Sequence, residues 1–277
     1  MHEQFLIWLV LLHAGNRLGF RRRRDTKRIR VSAGRVLVPE PGPPDEEYMR
    51  SLKFQNAPVM TDMTIRITEA DMHPLSSYIA WAGLRNREPI LEVFKELFPK
   101  SGNVLELASG SGMHINHFAS HFKKLRFQPS DFDETVFAAI KTKRAGQGNL
   151  NVEDPININL LEPETWPSPA TRLYDVIFAV NLLQVAPIAI ACGIAQISSK
   201  LLKESGFLAI YGPFKLGGKY TTRSNEAFDR EILGAKIPDW GLKDVRDLER
   251  AANEHGIFIK RLLELPANNI MLVFRKA

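Results

Sequence analysis

The sequence predicts an α/β fold with a mostly parallel sheet and helices on both faces. Three observations carry this prediction. From about Met72 onward, short apolar runs alternate with helically spaced stretches, the pattern of strand–helix–strand units. The run Val176–Val180 is apolar throughout, as a strand covered on both faces must be. Two closing runs, Ile257–Glu264 and Ile270–Phe274, are joined by Pro-Ala-Asn-Asn, a turn composition that predicts a hairpin.

Taken in order, Ser76–Pro99 has helical apolar spacing, with Pro89 placed to open a second helix and Pro99 just beyond its end. Val104–Leu107 is the first strand, and a helix is expected near His114–Phe122. Leu125–Pro129 is the second strand, followed by a helix near Glu134–Arg144, and Ile156–Leu160 is the third strand. After the fourth strand, Val176–Val180, comes a long helix near Ala189–Leu202, then a fifth strand at Gly206–Tyr211. An insertion leads to a helix near Leu242–His255 and the closing hairpin. In sheets of this kind ligands bind beyond the C-terminal strand ends, at the point where strand order reverses. Unusual residues at strand ends are therefore the candidates.

Charge narrows the partners. Net charge is +6, but residues 1–60 hold eleven Lys and Arg against six Asp and Glu, leaving 26 against 25 for the rest. The patterned part is nearly neutral, so no nucleic-acid surface is expected. Residues 1–65 read as a basic, proline-rich, disordered extension and 66–277 as the domain. The apolar run Phe5–Leu12 is too short to span a bilayer. It also precedes its positive charges, unlike a signal peptide. A cytoplasmic location is expected, with a mitochondrial one as the alternative if the Arg-rich stretch Arg17–Arg35 is a presequence. The single cysteine, Cys192, excludes an intrachain disulfide. His114 and His117 lie three apart without a further evident ligand, so no metal site is expected.

The stretch Val-Leu-Glu-Leu-Ala-Ser-Gly-Ser-Gly-Met-His, Val104–His114, has no bulky side chain between Leu107 and Met113. Gly110 and Gly112 there permit a tight turn and a close approach to the backbone. Ile115 stands three residues after Gly112, so the spacing is not that of the dinucleotide fingerprint. Glu106 can accept hydrogen bonds from a ligand ammonium or from turn amides. Asp131, 19 residues after Gly112, has the spacing of a partner for ribose hydroxyls. The plainer alternatives are a bare strand–helix turn for the glycines and a helix N-cap for Asp131, although Asp133 fills that second role better.

Leu-Glu-Leu-Ala-Ser-Gly-Ser-Gly resembles the glycine motif of class I S-adenosylmethionine-dependent methyltransferases. Arg85–Leu91, Phe127–Asp131, Asn181–Pro187, Tyr211–Phe214, Ser224–Asp229, Pro238–Asp244 and Pro266–Asn269 follow one another in an order similar to that of the methyltransferase-like 26 family. The resemblance covers about Arg66–Lys276. It implies a Rossmann-like, seven-stranded sheet with an antiparallel last strand and S-adenosyl-L-methionine as cofactor. Glu106, Ala108, Gly110 and Gly112 would line its methionine part, with Arg85 and Asn86 reaching it. Asp131 would hold the ribose. Asn159, where related enzymes often carry Asp, would lie near the adenine, and Leu160 would pack on it. Asn181 would lie near the sulfonium. Gln184 stands where relatives often carry His.

The acceptor, a small molecule or a protein, is not named by these residues. Tyr211 would orient or deprotonate it, unless it is a packed aromatic. Asn225, Asp229, Trp240, Asn268 and Asn269 are acceptor-side candidates, with turn, cap or core roles as their alternatives. Two other functions stay open: a methyltransferase-like binding protein acting through partners, and a nicotinamide-dependent oxidoreductase. The glycine spacing and the closing hairpin count against the second.

Overall fold

The structure, a computed structural model, describes residues 29–31, 54–56, 63–65, 77–233 and 239–277. Apart from three short strands, the extension read at 1–65 lies outside the described residues.

Helix α1, Ser77–Leu97, leads into β1, Gly102–Leu107, and α2, Met113–His121. Strand β2, Leu125–Asp131, is followed by a 3₁₀ turn at Glu134–Val136 and by α3, Phe137–Gln147. Next come β3, Ile156–Asn157, β4, Tyr174–Val180, α4, Ala189–Leu201, and β5, Leu202–Gly212. The insertion holds a two-residue ribbon, Lys215–Leu216 with Lys219–Tyr220, and the short helix α5, Arg223–Ala227. Then α6, Val245–Asn253, precedes β6, Ile257–Leu265, and β7, Asn269–Lys276.

The sheet order is β6-β7-β5-β4-β1-β2-β3, with the strand Phe54–Asn56 paired in parallel on the outer edge of β6. Only β7 runs against its neighbours, antiparallel to both β5 and β6. The expected fold class is therefore the observed one. The chain leaves β1 toward β2 and β3, then crosses back to pair β4 with β1. The reversal point lies between β1 and β4.

Alternate strand residues feed two cores. On one face, Phe94 of α1, Phe118 of α2 and Phe178 of β4 meet edge to face, with centroids 5.1–5.8 Å apart, a favourable arrangement for ring quadrupoles. On the other, Ile194, Ile197 and Leu201 of α4 and Leu248 of α6 cover Ile177, Leu208 and Leu272.

Several expected boundaries are corrected. Pro89 does not open a second helix but lies inside the continuous α1. A proline there removes one ladder bond. The buried stripe of Leu84, Ile90, Leu91, Val93 and Phe94 continues across it, and this tertiary packing outweighs the local preference. Strand β3 stops at Asn157 rather than Leu160, because the Asn159 carbonyl accepts from the Glu162 amide at 3.1 Å and from Trp166 Nε1 at 2.7 Å. That oxygen is engaged in a turn instead of a ladder. The last helix starts at Val245, not Leu242, where the Asp244 side chain caps the Arg246 amide.

Candidate functional site

The turn after β1 is built from left-handed residues: Ala108 at φ 54°, Gly110 at 52° and Gly112 at 72°. For Ala108 this conformation costs about 1–2 kcal/mol. Asn181, φ 55°, ends β4. The non-glycine residues in this conformation among the described ones are these two and Ala267 and Asn268 of the β6–β7 turn. Ala108 and Asn181 thus put left-handed residues at the ends of the adjacent strands β1 and β4, at the reversal point, a location typical of ligand sites.

Two serines lock the turn to β2. Ser109 Oγ accepts from the Ser130 amide at 3.1 Å, and Ser130 Oγ donates to the Glu106 carbonyl at 2.7 Å. Asp131 extends the lock: Oδ2 accepts from the Gly110 amide at 2.9 Å and Oδ1 from the Asp133 amide at 3.1 Å. Asp131 therefore shapes the glycine turn as well as presenting a carboxylate at the end of β2. Burial raises its pKa, against the opposing bonds from Asp133 and Gly110. The N-cap role falls to Asp133, which accepts from the Thr135 amide. A Cβ on Gly112 would press on Asn116 Nδ2 at 3.0 Å and Ile140 Cγ1 at 3.1 Å.

Glu106 differs from its neighbours. It is 2% exposed, and its Oε2 has no hydrogen-bond partner. Burial is the main cause that pushes its pKa up to about 8; the Ser109 bond opposes this, and the charge of Asp131 adds to it. A buried acceptor without a donor is costly, and it fits a ligand that brings a donor of its own.

Beyond β3, Asn159 Oδ1 accepts from the Leu161 amide at 3.0 Å, so this oxygen serves its own turn. Leu160 is buried in the α4 core, and a Cβ on Gly193 would strike its carbonyl at 2.1 Å. Two residues missed by the sequence reading stand out here. Phe132 and Leu161 are 52% and 53% exposed, each directly after a candidate residue. Their signal was an apolar residue directly after a candidate polar or core residue, and for Phe132 one set between two aspartates.

On the opposite side, Asn86 is buried and its Oδ1 accepts from His114 Nε2 at 2.7 Å. Burial, with the charges of His117 and Arg87, lowers the His114 pKa to about 3, so it stays neutral. Tyr211 is buried; desolvation drives its phenol pKa well up, against the opposing effects of Arg85 and a hydrogen bond with Asn269. A phenol held protonated cannot deprotonate an acceptor, and this geometry corresponds to the packed alternative. Asn225 Nδ2 donates to Thr221 Oγ1 at 2.9 Å and to the Asn268 carbonyl at 3.2 Å, tying the insertion to the β6–β7 turn. Gln184, in the turn after Asn181, accepts from the Gly241 amide through its carbonyl.

Asp229 is saturated: Oδ2 meets Tyr220 Oη at 2.7 Å and Lys215 Nζ at 2.9 Å, while Oδ1 accepts from the Leu242 amide at 2.6 Å. Burial alone would raise its pKa, but these partners together hold it below the usual range. Trp240 packs with Leu242, Val185, Tyr220 and Phe228 in a separate small cluster. Asp229 and Trp240 also line a cleft of about 880 Å³ with Lys215, Lys243 and Asp247. The glycine-turn residues do not line it. The structure thus brings together Glu106, Ala108, Gly110, Gly112 and Asp131, and separately Arg85, Tyr211 and Asn269. Asp229 and Trp240 belong to the insertion. Among the described residues no group of three His, Cys, Asp or Glu is arranged to hold a metal, and no helix is long and apolar enough to cross a membrane.

The family described as a protein of unknown function, DUF938, matches residues 77–276. Solved structures share the fold at low identity. An O-methyltransferase family protein from Burkholderia thailandensis aligns with a TM-score of 0.61 and 17% identity, over 74% of this chain and 61% of that one. CalO1, a methyltransferase in calicheamicin biosynthesis solved with S-adenosylhomocysteine, gives 0.58 and 15%, over 73% and 57%. The mitomycin 7-O-methyltransferase MmcR gives 0.58 and 14%, over 73% and 57%. The chain spans about three fifths of the length of these structures. Its fold is the Rossmann-like methyltransferase fold.

Proposed function

The chain belongs to the DUF938 family, and we propose, from the site built by its matched residues, that it transfers a methyl group from S-adenosylmethionine. The methyltransferase-like 26 family, suggested by the motif order, is the finer placement we propose for it. The observation that carries the activity is the strained, serine-locked glycine turn around a buried Glu106 whose Oε2 lacks a donor. The site's residues fit the cofactor. Glu106 Oε2 accepts from its ammonium, the turn of Ala108, Gly110 and Gly112 admits its methionine part, and Asp131 accepts from its ribose hydroxyls. Asn181 lies at the reacting end, and the side chain of Asn159 with the exposed Phe132 and Leu161 flanks the base.

The cofactor supplies a methyl already activated on a sulfonium. What remains for the protein is orientation and exclusion of water, which account for much of the rate in such reactions. The acceptor approaches from the β4, β5 and β7 ends, where Asn181, Tyr211 and Asn269 lie. It is a small molecule or a protein; a cytoplasmic site of action is proposed, or a mitochondrial one if the N-terminal segment directs import.

Calorimetry with S-adenosylmethionine, S-adenosylhomocysteine and NAD, beside a methyl-transfer assay on metabolite and protein pools, tests this. Binding of the first two without NAD, and label transfer from S-adenosylmethionine, is the expected result. A second reading, a binding protein without chemistry, is favoured by the Asn159 oxygen being turned onto the Leu161 amide. Cofactor binding without transfer to any pool would select it. Binding of NAD alone would sink both.

A further inference from the structure

Glu106 lies on β1 with its carboxyl group buried, one oxygen without a donor. The groups acting on it come from each surrounding element. Ser109 of the turn and the Ile115 amide of α2 donate toward it, and Asp131 of β2 adds a second negative charge; no cation appears among them. A buried carboxylate in that setting favours its neutral form, because desolvation and a like charge both oppose ionisation. An ammonium placed beside it reverses the balance, since an opposite charge within about 4–6 Å favours the charged form.

We propose that Glu106 holds a proton in the ligand-free protein and releases it to solvent when a cationic ammonium binds beside it, so that binding at this site is coupled to proton release. The proposal rests on the cofactor reading above and adds to it a dependence on pH. The pKa of about 8 in the absence of ligand puts the effect in the neutral range. With the ligand bound the pKa falls, so below about pH 8 affinity rises with pH, by linkage approaching about tenfold per unit for one proton. Above that range the free protein is already ionised and the gain ends.

The test is calorimetry of the full chain at pH 7 in buffers of different ionisation enthalpy. Three titrations are compared: S-adenosylhomocysteine, 5′-methylthioadenosine, which lacks the amino-acid end, and S-adenosylhomocysteine into Glu106→Gln. About one proton released with the first, and none with the other two, is expected. Binding of S-adenosylhomocysteine without proton release overturns the proposal while leaving the cofactor reading intact. Equal release with 5′-methylthioadenosine overturns it as well, because the proton would then come from the adenosine end, and this comparison needs no variant. Failure of wild-type protein to bind either nucleoside defeats the cofactor reading itself.

Discussion

The glycine turn after β1 and the insertion between β5 and α6 both hold buried polar residues, and both carry residues that the sequence marks as facing a ligand. They differ in how complete they are. In the insertion, Asp229 takes bonds from Lys215, Tyr220 and the Leu242 amide, and both Asn225 donors reach oxygens of the protein. At the turn, Glu106 keeps an oxygen without a donor, and Ala108 holds a left-handed conformation that alanine rarely adopts. A saturated network stabilises a fold; an unsaturated, strained one is unstable without a compensating gain, and a bound ligand is such a gain. The same residue types therefore carry different meanings in the two places.

The largest expected effect is that of Gly110→Val. A β-branched residue at φ 52° is strained, and its methyl groups would enter the space proposed for the methionine end of the cofactor. Binding of S-adenosylhomocysteine should be lost while the far-ultraviolet spectrum is kept; near-wild-type affinity would show that the turn does not face a ligand. Asp229→Ala should do the reverse. It strips a charged acceptor from three donors, each such bond being worth about 1.5–3 kcal/mol. Thermal melting should fall by several degrees with affinity unchanged, and a loss of affinity at unchanged melting temperature would move Asp229 into the binding site. Its depressed pKa adds a sign: the stabilisation is present above the unfolded value of about 3.9 and is lost as pH falls through the folded one. Acid melts of wild type and variant should therefore converge.

Asp131→Ala should mix the two behaviours, since one carboxylate both holds the Gly110 amide and faces the proposed ribose position. Affinity should fall by about tenfold to a hundredfold, with a modest drop in melting temperature. A change in melting temperature alone would reduce Asp131 to a structural brace. The smallest effect is that of Ser111→Ala, which adds no bulk. Affinity within about threefold of wild type is expected; in free energy that is under 1 kcal/mol, and a larger loss would place the Ser111 hydroxyl on the ligand.

The strands were legible because each is an apolar or alternating run between breakers, and the grouping of Glu106, the glycines and Asp131 was legible because their spacing is local. Their internal bonds were not. That Asp131 grips the Gly110 amide, 21 residues away, depends on β1 and β2 pairing in one register. The role of Asn159 was hidden because a side chain folding back on the amide two residues on has the same sequence as one facing a ligand. Pro89 misled for a related reason: local preference was readable, but the packing of Phe94 against Phe118 and Phe178 that overrides it was not. The insertion residues stayed ambiguous because a buried Asp or Trp has the same sequence in a network as in a pocket.

The crossover at the reversal point has a kinetic side. Val104 pairs with Phe127, 23 residues on, but also with Val176, 72 residues on. Closing the longer loop costs more chain entropy, and contacts of high sequence separation slow folding. The half of the site made by Glu106, the glycines and Asp131 can form within one strand–helix–strand unit, whereas Asn181 arrives only after the chain has crossed the sheet. In refolding, the half of the site proposed to hold the ammonium and the ribose should be in place before the proposed reacting end, and a ligand that needs only the first half should be captured earlier than one that needs both.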